Sequence, residues 1–536
     1  MKKRIAAVLL LICLPLALFA GGQQEQSGSA EETAEKVLQV GMVSAPMTFN
    51  VTATTGTYST MPMDFVLGTL VSIDGDQEFQ PWAASSWEVS EDGRTYTFNL
   101  NPDLNWHDGN PVVAEDVKMS LELLTHPDNN ALLYGRLNGI EGVDEFYEKK
   151  ADSISGVKVV NEKTVQITTK VPTATLLNNL MYYILPSHIL GDVAPEDIAN
   201  HSYWQKPVGF GPFKFVEYKT DQYILMEKNE DCAIGVPKID KLIFRIGDTN
   251  TLTALAERGE VDIFEISPDE AERLETSDLL NVVTVPYGSV TQMMHVNLNR
   301  PYLDDPKVRQ GLAHAINREG MARSLYNGHA RPVPTHPLPA WVSEEGFPTY
   351  EFNPEKGKKL LQEAGFPFDQ KLVLRVPSGN KPREKMAPII KQGLQDIGVE
   401  VDIVVSDFTT CTALIREGDY DLGLQGWWGM MMDPDDLSIV HHSKNIPKAG
   451  YNLSFYDNPR VDELLQEGRE KITFEERAPV YHELGKLLAE ELPLIPMASV
   501  DAVYAANKRV KNFKPTNFRT WGHYDQLWNI LELDVE

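Results

Sequence analysis

The residues best equipped for chemistry in this chain are few. His441 and His442 are adjacent, Asp435 and Asp436 stand shortly before them, and His107 is followed by Asp108 and Gly109. A histidine pair could begin a metal site. Zinc, however, asks for three or four ligands placed by spacing, and neighbouring histidines seldom face one ion; no third ligand is placed here. Paired aspartates could share acid and base work, but in a chain with 77 Asp plus Glu the expectation is solvated loop residues, because Asp is mostly exposed. HELGK at His482 lacks the second histidine of H-E-x-x-H, and neither a phosphate loop nor a strand-borne G-x-G-x-x-G is present. A nucleophile elbow, G-x-S-x-G, is also missing. No catalytic, metal or cofactor site is expected.

Apolar chemistry is more concentrated. GWWGMMMDPDDL, Gly426 to Leu437, sets two tryptophans beside three methionines and then turns acidic. Leu422 and Leu424 alternate ahead of it as strand residues do, which puts the tryptophans at the carboxyl end of a strand, the edge where open α/β sheets bind ligands. If the strand persists, Trp427 and Trp428 point to opposite faces, one toward core and one toward a cleft.

The elements around that strand alternate. Over the second half the spacing predicts helices in DDPKVRQGLAHAINREGMARSLY, with Asp304 or Asp305 as N-cap, and in NPEKGKKLLQEAGF, stopped by Gly365. Further on come KLVLRVP (strand), PREKMAPIIKQGLQDIG (helix), VEVDIVV (strand), FTTCTALIREGDY (helix) and DLGLQGWW (strand). That order predicts a doubly wound α/β domain. The first half is richer in strands: SWEVSEDGRTYTFNLN predicts a hairpin about Glu91-Asp92-Gly93, followed by a helix in VVAEDVKMSLELL. The stretch from VKVVNEKTVQITT to TDQYILMEKN is expected to be strand-dominated.

The chain has 536 residues and a formal net charge of −28, enough for two to four domains. So acidic a surface argues against nucleic acid, which wants basic patches. MKKR followed by the apolar Ile5 to Phe19 and the small Ala20-Gly21-Gly22 has the shape of an export signal, with 21–36 as a polar tether. An extracytoplasmic location is expected. Ile12 before Cys13 speaks against lipid attachment. Cys232 and Cys411 are expected as separate thiols, one bridge between them being the alternative.

Five stretches in register resemble the family 5 extracellular solute-binding proteins. They are FQPWAASSWEVSEDGRTYTFNLNPDLNWHDGNPVVAEDV, with Trp106 where Phe is usual; KPVGFGPFKFVEY; VNLNRPYLDDPKVRQGLAHAINREGM; FNPEKGKKLLQEAGF; and YDLGLQGWWGMMMDPDDL. The resemblance implies a two-lobed periplasmic-binding-protein fold of α/β class, with a hinge and an extra strand-rich domain inserted in the first lobe. On that basis 37–70, 205–285 and 500–536 would form the first lobe, 71–204 the insert and 286–499 the second lobe. It also implies a structural turn for His107, Asp108 and Gly109, and a bend at Gly209, Gly211 and Pro212. The expected partners are a small solute and an ABC permease, the chain itself being monomeric.

Peptide-binding members of the family hold the ligand's α-ammonium with an aspartate three residues after the tryptophan of the G-W motif. Met430 occupies that position here, while Asp433, in the D-P step, matches a structural position. Lys381 or Arg383 could replace the arginine that dipeptide binders turn to the ligand carboxylate. Trp427, Trp428 and Met430 are therefore expected to form an apolar floor for an oligosaccharide ring or an oligopeptide without a recognised free amine. Thr57 and Tyr58 are expected to reach it from the first lobe, and Tyr287 and Gln292 to line the cleft. A peptide receptor using another carboxylate, a metal-complex receptor through His441 and His442, and a secreted hydrolase are the alternatives.

Overall fold

Each lobe is built on a mixed sheet whose strands come from distant parts of the sequence. The structure, a computed structural model, describes residues 35–54, 56–447, 450–519 and 525–536, with only the main chain of Trp428, Met431 and Arg519. The expected export signal, Cys13 and nearly all of the expected tether lie outside the described residues. The first sheet has seven strands in the order Phe213–Lys219, Tyr223–Lys228, Lys241–Ile246, Val37–Met42, Ile263–Ile266, Ala502–Asn507 and Leu280–Val285. The second has six: Ala330–Arg331, Leu494–Val500, Val290–Val296, Leu422–Trp428, Leu372–Pro377 and Val401–Ser406. The last three of these run parallel to one another, joined by the helices Lys381–Asp396 and Phe408–Arg416, while Val290–Val296 runs antiparallel to both its neighbours. The winding read from the spacing is present, and three further strands, paired antiparallel in succession, complete the sheet.

A third, antiparallel sheet contains the hairpin Ala84–Val89 and Thr95–Leu100 together with Val157–Asn161 and Thr164–Thr168. Gly93 takes φ 68° in the hairpin turn, where a side chain would be strained. Between 170 and 212 the expected strands are mostly absent. Pro172, Pro186, Pro195 and Pro207 interrupt the ladder there, and short helical turns such as Pro195–Asn200 take their place.

His107 serves the fold. Its Nδ1 accepts from Gly209 N at 3.2 Å and its Nε2 donates to Gly211 O at 3.0 Å, while its main-chain N–H donates to Gly209 O. Burial pulls its pKa down to about 4, so the ring is neutral and can donate and accept at once. A Cβ at Gly209 would lie 1.7 Å from Val66 O, hence the bend.

Two chain crossings join the large sheets. The chain leaves the first sheet at Val285 and enters the second at Val290, then returns from Val500 to Ala502 across the single residue Asp501. The Asp501 carboxylate accepts from the main-chain N–H of Tyr287 at 3.1 Å and pairs with Arg331, whose guanidinium lies 4.9 Å from the Tyr287 ring centroid. Tyr287 itself has φ 61°, a conformation costly for a non-glycine residue unless its surroundings enforce it.

The acidic loop after the methionines is not a solvated loop: Asp433 is buried, and Asp435 and Asp436 are half-buried. Asp433 makes a bidentate pair with Arg477, at 2.7 and 2.8 Å, and the Arg477 side chain is 2% exposed. Asp435 pairs with Arg469 at 2.7 Å, and Asp436 lies 3.5 Å from Arg136 on the short helix Tyr134–Leu137. A second contact reaches the helix Pro459–Glu470 that carries Arg469, from Ala174 N to Arg469 O. The expectation for Asp435 and Asp436 is thus overturned: Arg136 and Arg469, remote in sequence, supply the countercharge that makes their burial tolerable.

Asp433→Asn would leave the Arg477 guanidinium buried without its counterion, so urea unfolding should show a loss of about 3–5 kcal/mol. Burial pushes the Asp436 carboxyl up from 3.8 to about 7, against the pull of Arg136. The folded chain then holds a proton that the unfolded chain has released, so stability falls as pH rises from about 4 through about 7. Asp436→Asn should flatten that slope, by at most about 1.4 kcal/mol per pH unit, in unfolding curves measured across this range.

Candidate functional site

The strand Leu422–Trp428 carries the site because its two faces meet different neighbours. Leu422 and Leu424 enter the second-lobe core under helix Lys381–Asp396. On the other face a Cβ at Gly423 would meet Ile415 at 2.9 Å, Gln425 Nε2 donates to Thr412 at 3.3 Å, and Trp427 follows at the strand's end. The strand persists to Trp428, so the alternation read from the sequence holds along the main chain; the Trp428 side chain lies outside the described residues.

Trp427, half-buried, lines a cavity of about 210 Å³. Phe408 and Tyr451, 57% and 46% exposed, stand at its mouth, with the Arg416 guanidinium 5.0 Å from the Tyr451 ring centroid. The polar lining comes from His295, His336, His441, Gln425 and Thr412, and Arg416 adds a cation. Burial pulls both His295 and His441 down to about 3, so these imidazoles are neutral. His442 turns elsewhere, with Nδ1 3.0 Å from Asp462. The pair does not converge, and among the described residues no group of three or more His, Cys, Asp or Glu could hold a metal ion. Cys232 and Cys411 are separate buried thiols with no bridge between them; burial raises the pKa of each.

The other face of the same strand end holds Arg383. It sits in the first turn of its helix, where the Asn380 side chain caps the Arg383 N–H. Its guanidinium lies over Gly426, so close that a Cβ there would be 2.1 Å from Nη2. Nε donates to Gln292 Oε1 at 2.8 Å, and Gln292 is the cross-strand partner of Gly426. Arg383 is 7% exposed, and no carboxylate among the described residues pairs with it; its electrostatic neighbours are Tyr326 and Cys411. Burial accordingly lowers its pKa. The buried Arg309 and Arg318 differ, since they donate to main-chain carbonyls. Lys381, the other candidate, is exposed.

Thr57 and Tyr58 sit on the single turn Thr57–Thr60 and line a separate cavity of about 380 Å³. Glu265 and Ser267 join them from the first lobe, and Ser289 from the crossing into the second. Met430 is elsewhere. It is buried in the first-lobe apolar cluster with Tyr504 and Phe518, and its short strand pairs with Phe518–Arg519. Gln292 is buried as well, supporting Arg383, while Tyr287 belongs to the crossing at Asp501. The structure therefore brings Trp427, Gln292 and Arg383 to one strand end, places Thr57 and Tyr58 at another cavity, and packs Met430 into core. Sequence reading missed Glu265, Phe408, Tyr451, His295 and His336, and named His441 only as half of a metal pair. Glu265 alone had a signal, the alternation of VDIFEI; the histidines are far apart in sequence.

Residues 78–446 match the family described as bacterial extracellular solute-binding proteins, family 5 middle. The glutathione-binding protein GsiB of Pectobacterium atrosepticum is 28% identical over 454 residues, covering 83% of this chain and 85% of that protein. The oligopeptide-binding protein AppA of Bacillus subtilis is 26% identical, covering 92% of this chain and 93% of its own length. NikZ of Campylobacter jejuni, solved with Ni(L-His), superposes with a TM-score of 0.76 at 26% identity, over 93% of this chain and 99% of that one. With two lobes, a double crossing between them and this match across most of its length, the chain belongs to the family 5 bacterial extracellular solute-binding proteins.

Proposed function

We propose that the protein is the extracytoplasmic substrate-binding component of an ABC importer, and that it takes a peptide or related small anionic ligand between its lobes. The observation that carries the ligand class is Arg383. A guanidinium at 7% exposure without a carboxylate is costly, and a ligand carboxylate would repair that with a charge-assisted, two-pronged hydrogen bond. A peptide brings such a group; a neutral oligosaccharide does not. Relatives named for glutathione and oligopeptides fit the same chemistry. Met430 offers no charge to an α-ammonium, but Glu265, among the hydroxyls of Thr57, Tyr58, Ser267 and Ser289, supplies a carboxylate on the first-lobe wall. Affinity then comes from enclosure and desolvation, and lobe closure is what a permease reads. No chemical step is assigned.

The stacking of a sugar on Trp427 is the second reading, favoured by the half-exposed indole beside Tyr451 at 5.8 Å between centroids. Calorimetric titration with small peptides, their C-terminal amides and di- to hexasaccharides separates the two. Free-acid peptides should bind and sugars should not. Arg383→Gln should weaken free-acid peptides by roughly tenfold or more, as for a lost buried charged hydrogen bond, and bring acids and amides to parity. Binding of neutral sugars without peptides would sink the peptide reading.

A further inference from the structure

The cavity beside Trp427 combines features that a mere packing gap would not. At about 210 Å³ it falls below the roughly 300 Å³ where sites for whole small molecules begin, so it is the size of a subsite. Its mouth is aromatic and exposed, at Phe408 and Tyr451. Phe408 directly follows the strand Val401–Ser406 and its N-cap Asp407, while Trp427 ends the strand Leu422–Trp428, so the mouth lies at the carboxyl ends of the parallel strands. The walls are largely apolar, including Met293, Val440 and Leu494, with Thr412, Gln425 and Arg416 on the side of helix Phe408–Arg416 and its neighbouring strand. At depth lies His441, 3% exposed, whose Nδ1 has no hydrogen-bond partner. His295 is not equivalent: its Nδ1 is 3.3 Å from Ser454 Oγ.

A buried polar atom left unpaired costs about 1–3 kcal/mol, and native structures seldom keep one without a reason. No carboxylate lines this cavity, so its imidazoles are not held as cations. Nothing here suits a cationic guest: the cavity has an aromatic throat, where Arg416 lies over the Tyr451 ring, largely apolar sides and neutral imidazoles at depth. Building on the peptide reading above, we infer that this cavity is a specificity pocket for a peptide side chain with an aromatic body and a neutral hydroxyl tip, a phenol that stacks against Trp427 and Phe408 and hydrogen-bonds to His441. The face of Trp427 then selects shape and His441 selects the hydroxyl. A site built to hydrogen-bond a hydroxyl discriminates against the analogue that lacks it, because its own polar atom is then left unpaired.

The test is calorimetric titration of the full chain with alanine-based tripeptides and pentapeptides carrying one Tyr or one Phe at each position in turn, beside the all-alanine parents. At one position Tyr should bind roughly tenfold or more tighter than Phe, as for one buried hydrogen bond. His441→Leu should bring Tyr and Phe within roughly threefold of each other while Phe peptides still bind. Phe408→Ala, at an exposed position that leaves folding intact, should weaken Tyr and Phe peptides alike and spare the parents. If the parents bind but Tyr and Phe are equal at every position, or if the Tyr preference survives His441→Leu, the pocket assignment is overturned and the peptide reading stands. Failure of every peptide to bind overturns both.

Discussion

The structure turns on a carboxylate at the crossing between lobes. Asp501 is the single residue between a strand of one sheet and a strand of the other, and it ties down the neighbouring, oppositely directed crossing through the main-chain N–H of Tyr287. The two passages of the chain between the large sheets, at Val285–Val290 and Val500–Ala502, are therefore held at one point. Arg331, from the short edge strand of the second sheet, neutralises the charge and covers the Tyr287 ring. The Asp501 side chain is buried while Arg331 is partly exposed, so the pair offsets the burial of one carboxylate and fixes the arrangement of the joint.

The stretch that begins GWWGMMM depends on that joint. Gly429 must be glycine because a Cβ would lie 1.8 Å from Tyr287 O. This close approach lets Gly429 N donate to Ser289 O, and Met430 N to Tyr287 O. The strand serves the second lobe up to Trp428, and two residues later the chain packs into the first-lobe core. One short segment thus presents Trp427 to a cavity, leaves Gly426 bare for Arg383, anchors Met430 across the joint and ends in the buried Asp433–Arg477 pair.

Local features of the fold were legible in the sequence; partnerships across it were not. Alternation and capping residues located the hairpin at Gly93, the strand ending at Trp428 and the helix begun by Asp305, because each depends on neighbours a few residues away. The fate of Met430 depends on Phe518, and that of Asp436 on Arg136, 300 residues distant. Composition treats methionine beside tryptophan as adaptable surface and paired aspartates as solvated, and both expectations fail where a remote partner covers the group. Arg383 could be named as a candidate, but its isolation from any carboxylate is a three-dimensional fact. The histidines at the Trp427 cavity come from three separate segments and share no spacing that a reader of sequence could recognise.

That the lobes close around a ligand is the claim on which the functional account stands. Small-angle X-ray scattering of the chain, alone and with a saturating peptide whose binding calorimetry has established, measures it directly. The account predicts a smaller radius of gyration with peptide, and no such contraction with peptide in Arg383→Gln at a concentration that saturates only the unaltered chain. An unchanged radius in the fully liganded protein would contradict it.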